Sequence, residues 1–280
     1  MIKIYRDHDD YVLQNLNQII RVQGFSLDAL FQSTNPVEYL TPFFGSTDSE
    51  PIQQKVTSIE TPWQAPVENQ EIWAAGVTYM RSKSARMEES EQSGGDHFYD
   101  LVYEAERPEL FFKSTGSRAR GHLSLVRIRD DSAWNVPEPE LTLAINSGGH
   151  IFGYTIGNDM SSRSIEGENP LYLPQAKIYR GSCAIGPCLV VGNVITPESK
   201  ISITVTRQSK VEFHGDTSVS QLKRRFNELA DYLYRENEFP CGAYLMTGTG
   251  IVPDAGFTLQ SGDRIQIQIE GLGVLENDVE

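Results

Sequence analysis

The chain has little of several things, and each shortage narrows what it can do. Its 280 residues include three cysteines, Cys183, Cys188 and Cys241, with no Cys-x-x-Cys pair. An odd count in a long chain supports neither a disulfide framework nor a zinc ribbon and implies buried, reduced thiols. The five histidines, His8, His97, His122, His150 and His214, show no His-x-x-His or His-x-x-x-His spacing, which argues against a zinc or non-haem iron centre. Positive charge is scarce, with 24 lysines and arginines against 38 aspartates and glutamates and a net charge of −14. So acidic a protein is not attracted to nucleic acid or anionic lipid, and neither is an expected partner. No apolar run reaches membrane-spanning length, and the start "MIKIYRDHDDYVLQNL" has no secretory-signal pattern, so the expectation is a soluble, cytoplasmic protein.

Short β-like segments are what the chain has in quantity. From "EIWAAGVTY" onward, "LSLVRIR", "LTLAIN", "IFGYTIG", "PCLVVGNV", "KISITVTR" and "RIQIQIEGLG" are each bounded by Gly, Asn, Asp or Pro. Before them, "STNPVEYLTPFFGSTDSEP" reads as loop. The expected organisation is a small N-terminal domain over 1–65 and a mostly β catalytic domain over 66–280, α+β in class. Two passages break the pattern. "SKSARMEESEQSGGDHFYDLVYEAER" is polar and split by glycine, the composition of a segment lying over a site. In "TSVSQLKRRFNELADYLYREN", Val219, Leu222, Phe226, Leu229 and Leu233 recur at helical spacing, predicting a helix capped by Ser218 or Ser220 with Lys223, Arg224 and Arg225 in solvent.

The stretch "WNVPEPELTLAIN" sets Glu138 and Glu140 two apart. In extended chain, residues i and i+2 share a face, so two carboxylates project together and repel unless a positive charge lies between them. Nineteen residues after Glu140, "GYTIGNDMSSR" places Asp159 where a strand gives way to a turn, and "LPQAKIYRGSC" supplies Lys177 eighteen further on. Three carboxylates and a lysine near strand ends would make an oxygen-rich pocket suited to Mg²⁺ or Mn²⁺. A solvated strand face is the commoner meaning of Glu-x-Glu taken alone.

The whole pattern is more specific. "RPELFFKS", "VPEPELTLAI", "GYTIGNDMSSRSIEGENPLYLPQAKIYRGSCAIGP" and "LMTGTGIVP" resemble the fumarylacetoacetate hydrolase family, in order, over roughly residues 66–280 and more loosely over the N-terminal region. The resemblance implies a mixed β-roll, with Glu138, Glu140 and Asp159 as ligands of a divalent metal, Mg²⁺ or else Mn²⁺. It also implies 2-oxo acid substrates and a homodimer or homotetramer. "ENPLYLPQAKIY" is similar to the family's sugar-acid dehydratase branch, in which the lysine corresponding to Lys177 lies in the active site. That branch implies conversion of a 2-keto-3-deoxypentonate to 2,5-dioxopentanoate. The alternative within the family is an acylpyruvate hydrolase or a 2-hydroxyhepta-2,4-diene-1,7-dioate isomerase. Hydrolytic members carry a His and a Glu where this chain has Ser82 and Ala85, and neither residue is a general base at neutral pH.

Further candidates come with ordinary alternatives. Lys177 is the expected proton carrier, and Glu109 in "RPELFFK" is a second one or else a surface strand residue. Lys113, on the Phe111 face of the same strand, is expected to bind substrate, although a strand-end lysine is usually exposed. Thr249 in "TGTG" borders the substrate by the same resemblance, though such a sequence is commonly a plain turn. Ser82 and Arg86 belong to the polar segment, where Arg86 either clasps an anion or lies on a solvated helix face. Arg163 and Glu166 read as an ion pair bracing the loop after Asp159.

Overall fold

The computed structural model describes residues 1–45, 53–55, 63–82 and 101–280. Most of the alternating apolar segments become strands, although of "LSLVRIR" only Leu125–Val126 does. The N-terminal region supplies β1 (Ile2–Asp7), β2 (Asp10–Gln14), β3 (Ile19–Val22) and β4 (Gln53–Lys55). There follow β5 (Glu71–Gly76), β6 (Glu109–Thr115), β7 (Leu125–Val126), β8 (Asn135–Val136), β9 (Pro139–Ile145), β10 (Ile151–Asp159) and β11 (Ser161–Ser162). The chain closes with β12 (Cys183–Val191), β13 (Lys200–Arg207), β14 (Lys210–Ser218), β15 (Ala243–Met246), β16 (Arg264–Ile269) and β17 (Gly273–Val279). Among the described residues these make a ten-stranded sheet in the order β4-β3-β2-β1-β12-β10-β9-β15-β5-β6, a five-stranded sheet in the order β14-β13-β16-β17-β7, and the small pair β8/β11. The protein is mostly sheet, as its pattern predicts.

The five-stranded sheet buries one face only. Ile201, Ile203 and Val205 of β13 and Ile265, Ile267 and Ile269 of β16 point inward while their neighbours face solvent. They pack on Leu141, Ile156, Ala184, Cys188 and Val190 of the large sheet. Each such aliphatic side chain contributes roughly 1.5–3 kcal/mol relative to exposure. The central strand β9 is buried along its whole length and on both faces, as strands covered from two sides are. On one face Ala144 meets Leu27, Leu30 and Phe31 of the helix Leu27–Gln32 and Leu40 of the helix Pro36–Leu40, which forms within the stretch expected as loop. On the other, the face of Leu141, Leu143 and Ile145 meet Leu229, Ala230 and Leu233. The regions expected as 1–65 and 66–280 share one sheet, because β1 pairs antiparallel with β12 from Ile2 opposite Val191.

The helix predicted from Val219 onward is shorter and begins later, spanning Phe226–Tyr234. Sheet pairing overrides local periodicity here. β14 holds the chain extended to Ser218 against β13, Leu222 bridges to Tyr79, and the Lys223 amide donates to the Thr78 carbonyl. Ser218 and Ser220 bond each other, and the Arg225 amide is satisfied by Glu228 instead. Of the three basic residues expected in solvent, Arg224 is buried, whereas Lys223 and Arg225 are exposed. Lys223 Nζ donates to Tyr103 O and Glu104, and Arg224 donates to the carbonyls of Val102, Ala105 and Glu106. The stretch 222–224 thereby holds both Thr78–Tyr79 and Val102–Glu106. Among the described residues no helix is long and apolar enough to cross a membrane.

Candidate metal and active site

Glu138 ends the turn into β9, Glu140 is the second residue of that strand, and Asp159 ends β10 alongside it. Antiparallel register brings them together. Glu140 lies opposite Gly157, and the Asp159 amide donates to the Glu138 carbonyl at 3.0 Å. One carboxylate oxygen from each of the three lies within 4.8 Å of the others. All three residues are at most 4% exposed. The site therefore departs from the common exposed Glu-x-Glu face.

Buried carboxylates need partners, and three cations from elsewhere supply them. Lys177, at the end of the helix Leu173–Lys177, donates through Nζ to Glu138 Oε2 at 2.6 Å, Asp159 Oδ2 at 3.1 Å and Ser161 Oγ at 2.6 Å. Arg163 Nη1 reaches Glu138 Oε1 at 2.5 Å and Glu166 Oε2 at 3.6 Å, so the expected brace extends to a candidate ligand. Lys113 pairs with Asp159 Oδ1 and donates to the carbonyls of Met160 and Lys177. Glu140 differs from its neighbours. Its Oε2 accepts the Gly248 amide at 2.6 Å, and among the described residues no lysine or arginine forms a salt bridge to it.

The consequence is electrostatic. Among the described residues, four buried carboxylates, those of Glu138, Glu140, Asp159 and Glu166, face three cations, so this described part of the cluster carries more negative than positive charge. Burial, followed by the charges of Asp159 and Glu138, holds the Glu140 carboxyl well above the usual carboxylate range, opposed by Lys177 and the Gly248 amide. An additional cation would remove that deficit. The donors are all carboxylate oxygen, which fits a hard divalent ion such as Mg²⁺ better than a thiophilic one. Burial also pushes the nearby Tyr179 hydroxyl up from its ordinary value, and the Asp159 charge adds to the effect.

A cavity opens over this cluster, lined by Ala75, Gly76, Val77, Ser82, Phe111, Gly248 and Thr249 together with Glu138, Glu140, Asp159, Arg163 and Lys177. Ser82 and Thr249 both line the cavity, and their hydroxyls also hold the local chain. Ser82 Oγ donates to Tyr79 O at 2.8 Å, and Thr249 Oγ1 donates to Ile251 O at 3.2 Å. Lys113 departs from its expected substrate contact. An ammonium has three donors, and all three here find acceptors inside the protein, with the residue 1% exposed. It lies beneath the carboxylate cluster as a strut. Glu109 shares its face of β6 with Phe111, which lines the cavity, but is not itself among the lining residues, and Arg86 lies outside the described residues.

Ser161 and the contact of Arg163 with Glu138 were not legible beforehand. Gly248 adopts φ +91°, and a Cβ there would stand 2.0 Å from Thr78 Oγ1. Only glycine lets the "TGTG" turn approach Thr78, whose hydroxyl donates to Thr247 O at 2.7 Å, and present its amide to Glu140.

The family described as fumarylacetoacetate (FAA) hydrolase C-terminal matches residues 88–280. The chain belongs to the fumarylacetoacetate hydrolase family. It is similar to a probable 2-keto-3-deoxyxylonate dehydratase of Haloferax volcanii, with 50% identity over 216 residues, 76% of this chain and 73% of that protein. It is also similar to the 2-dehydro-3-deoxy-D-arabinonate dehydratase of Saccharolobus solfataricus, at 35% identity across 98% of this chain and 95% of that one. A solved structure of 2-keto-3-deoxy-D-arabinonate dehydratase complexed with magnesium and 2,5-dioxopentanoate matches with a TM-score of 0.81 at 32% identity, covering 100% of this chain and 98% of that chain. The mixed β-roll of the fumarylacetoacetate hydrolase family is thereby the fold of this protein.

Proposed function

We infer that the protein is a magnesium-dependent hydro-lyase converting 2-keto-3-deoxy-D-arabinonate, a 2-dehydro-3-deoxypentonate, to 2,5-dioxopentanoate. The observation that carries this reading is the buried Glu138–Glu140–Asp159 triad with the Lys177 ammonium against two of its members. It is joined to full-length similarity to a dehydratase of that name. Mn²⁺ suits the same oxygen donors.

In this reading Glu138, Glu140 and Asp159 hold the metal, which when bound polarises the 2-oxo group of the substrate and acidifies the C3 proton. Lys177 and Glu109 are the proton carriers. One takes the proton from C3, and the other delivers a proton to the C4 hydroxyl as it departs, so that one water leaves. Proton transfer from C5 back to the carbon chain then converts the unsaturated alcohol to the aldehyde. The product keeps all five carbons and differs from the substrate by the loss of that single water, with no net oxidation. Ser82 and Thr249 line the substrate cavity, and Arg86 is proposed to meet the sugar-acid end of the substrate. Lys113 and Arg163 hold Asp159 and Glu138 in position. A cytoplasmic location and a homodimer or homotetramer are proposed on family membership.

The direct assay uses EDTA-stripped protein with 2-keto-3-deoxy-D-pentonate, with and without Mg²⁺, following 2,5-dioxopentanoate through a coupled aldehyde dehydrogenase. Metal-dependent aldehyde formation is expected. Absence of product alongside metal-dependent cleavage of an acylpyruvate would overturn the reading in favour of hydrolysis.

A further inference from the structure

Gly76 and Glu109 are partners across the last pair of the β5/β6 ladder. Directly opposed residues of an antiparallel pair send their side chains to the same face, about 4.5–5.5 Å apart at Cβ. Gly76 has no side chain to send, and Glu109 occupies the vacated space. A Cβ built on Gly76 would lie 2.0 Å from Glu109 Oε2 and 2.5 Å from its Cδ, far inside any real contact. That oxygen is shielded from solvent. Gly76 itself lines the cavity over the carboxylate cluster, and Phe111, two residues along from Glu109, lies across it with its ring centre 5.8 Å from Lys177 Nζ.

Glycine at position 76 is not required by the backbone, since its φ is not in the left-handed region. What it provides is a slot for a carboxylate. We propose that Gly76 is a positioning residue for Glu109, its missing Cβ seating the Glu109 carboxylate against the floor of the substrate cavity. The inference rests on the reading of Glu109 as a proton carrier. Its physical basis is that a proton carrier works only within hydrogen-bond reach of its target atom, and a displacement of about 1 Å can cost about 10²-fold in rate. The obstructing atoms are the far end of a flexible side chain, so an added methyl moves Glu109 and leaves the sheet intact.

The test is a double-mutant cycle on the full chain, assayed for metal-dependent dehydration of 2-keto-3-deoxy-D-pentonate. Gly76→Ala should lower kcat by about 10²-fold, leave KM little changed and keep the Mg²⁺-induced rise in melting temperature, which shows an intact metal site. In a Glu109→Ala background the same substitution should cost no more than about twofold, because no carboxylate remains to displace. Full additivity of the two losses would overturn the proposal, and so would wild-type turnover in Gly76→Ala while Glu109→Ala is impaired. Wild-type turnover in Glu109→Ala itself would instead locate the error in the assignment of Glu109 and remove the basis of the proposal with it. Loss of the Mg²⁺-induced melting shift in Gly76→Ala would also overturn it, since Gly76 would then be supporting the fold or the metal cluster.

Discussion

Lys113 donates through Nζ to the backbone carbonyl of Lys177 at 2.5 Å while pairing with the Asp159 carboxylate, so one buried lysine sets the position of another. The strand β6 thereby fixes a helix end and a candidate metal ligand with a single ammonium. Lys113→Met would leave Asp159 less neutralised and the Lys177 carbonyl without this donor. Removing one partner of a buried pair costs about 3–5 kcal/mol, and arginine, with its planar fork, should not restore it. Equilibrium denaturation measures the loss, and unaltered stability in Lys113→Met would rule out the strut.

Glu140→Gln keeps the shape of the side chain and removes its charge. Because the buried carboxylate is opposed by burial and by two like charges, the amide should leave the metal-free protein as stable as the parent or slightly more so. Mg²⁺ at 100 times its dissociation constant should stabilise the parent by about 2.7 kcal/mol. The variant should show almost none of this in a thermal-shift titration, and an undiminished shift would remove Glu140 from the ligand set.

Metal binding should depend on pH with a definite sign. In the folded, metal-free protein Glu140 keeps its proton above the 4.5 of an ordinary glutamate, chiefly through burial. Stability of that form therefore falls as pH rises from the unfolded value through the raised folded one, where the native state binds more protons than the unfolded state. A cation must displace the retained proton, so Mg²⁺ affinity should rise with pH over the same window and binding should release protons. Calorimetry in buffers of different ionisation enthalpy reads this release, and its absence throughout that window would contradict the assignment.

The thiols should divide two to one. Burial pushes Cys183 and Cys188 up to about 12, so both stay protonated and shielded at pH near 8, whereas Cys241 is only partly covered. Titration with a chromogenic disulfide should count one thiol rapidly in the native protein and three after unfolding. Rapid reaction of three in the native state would show the core opening far more readily than its packing implies.

Features set by neighbours in sequence were legible in advance. Alternation along "KISITVTR" and "RIQIQIEGLG" marked β13 and β16, because side-chain direction in a strand repeats every two residues whatever the chain does elsewhere. The same local rule placed Glu138 and Glu140 on one side. Where a distant segment competed, local reading failed. The helical spacing of Val219 and Leu222 lost to pairing with β13 and with Tyr79.

By itself the sequence determined most of the strands after residue 66, that the chain is acidic and poor in thiols, and, through its family motifs, which carboxylates and which lysine gather at the site. Tertiary structure alone decided how those charges are balanced. The groups that hold Glu138 come from 25 and 39 residues away, and the amide that holds Glu140 from 108 away. No local periodicity reports such separations. They follow from sheet order, which sets β9 between β10 and β15 and so brings the turns after both strands over the same two carboxylates. The same order explains why Lys113, which reads locally as a strand-end charge, is a fully enclosed strut, and why Gly76, which reads as nothing in particular, stands opposite Glu109.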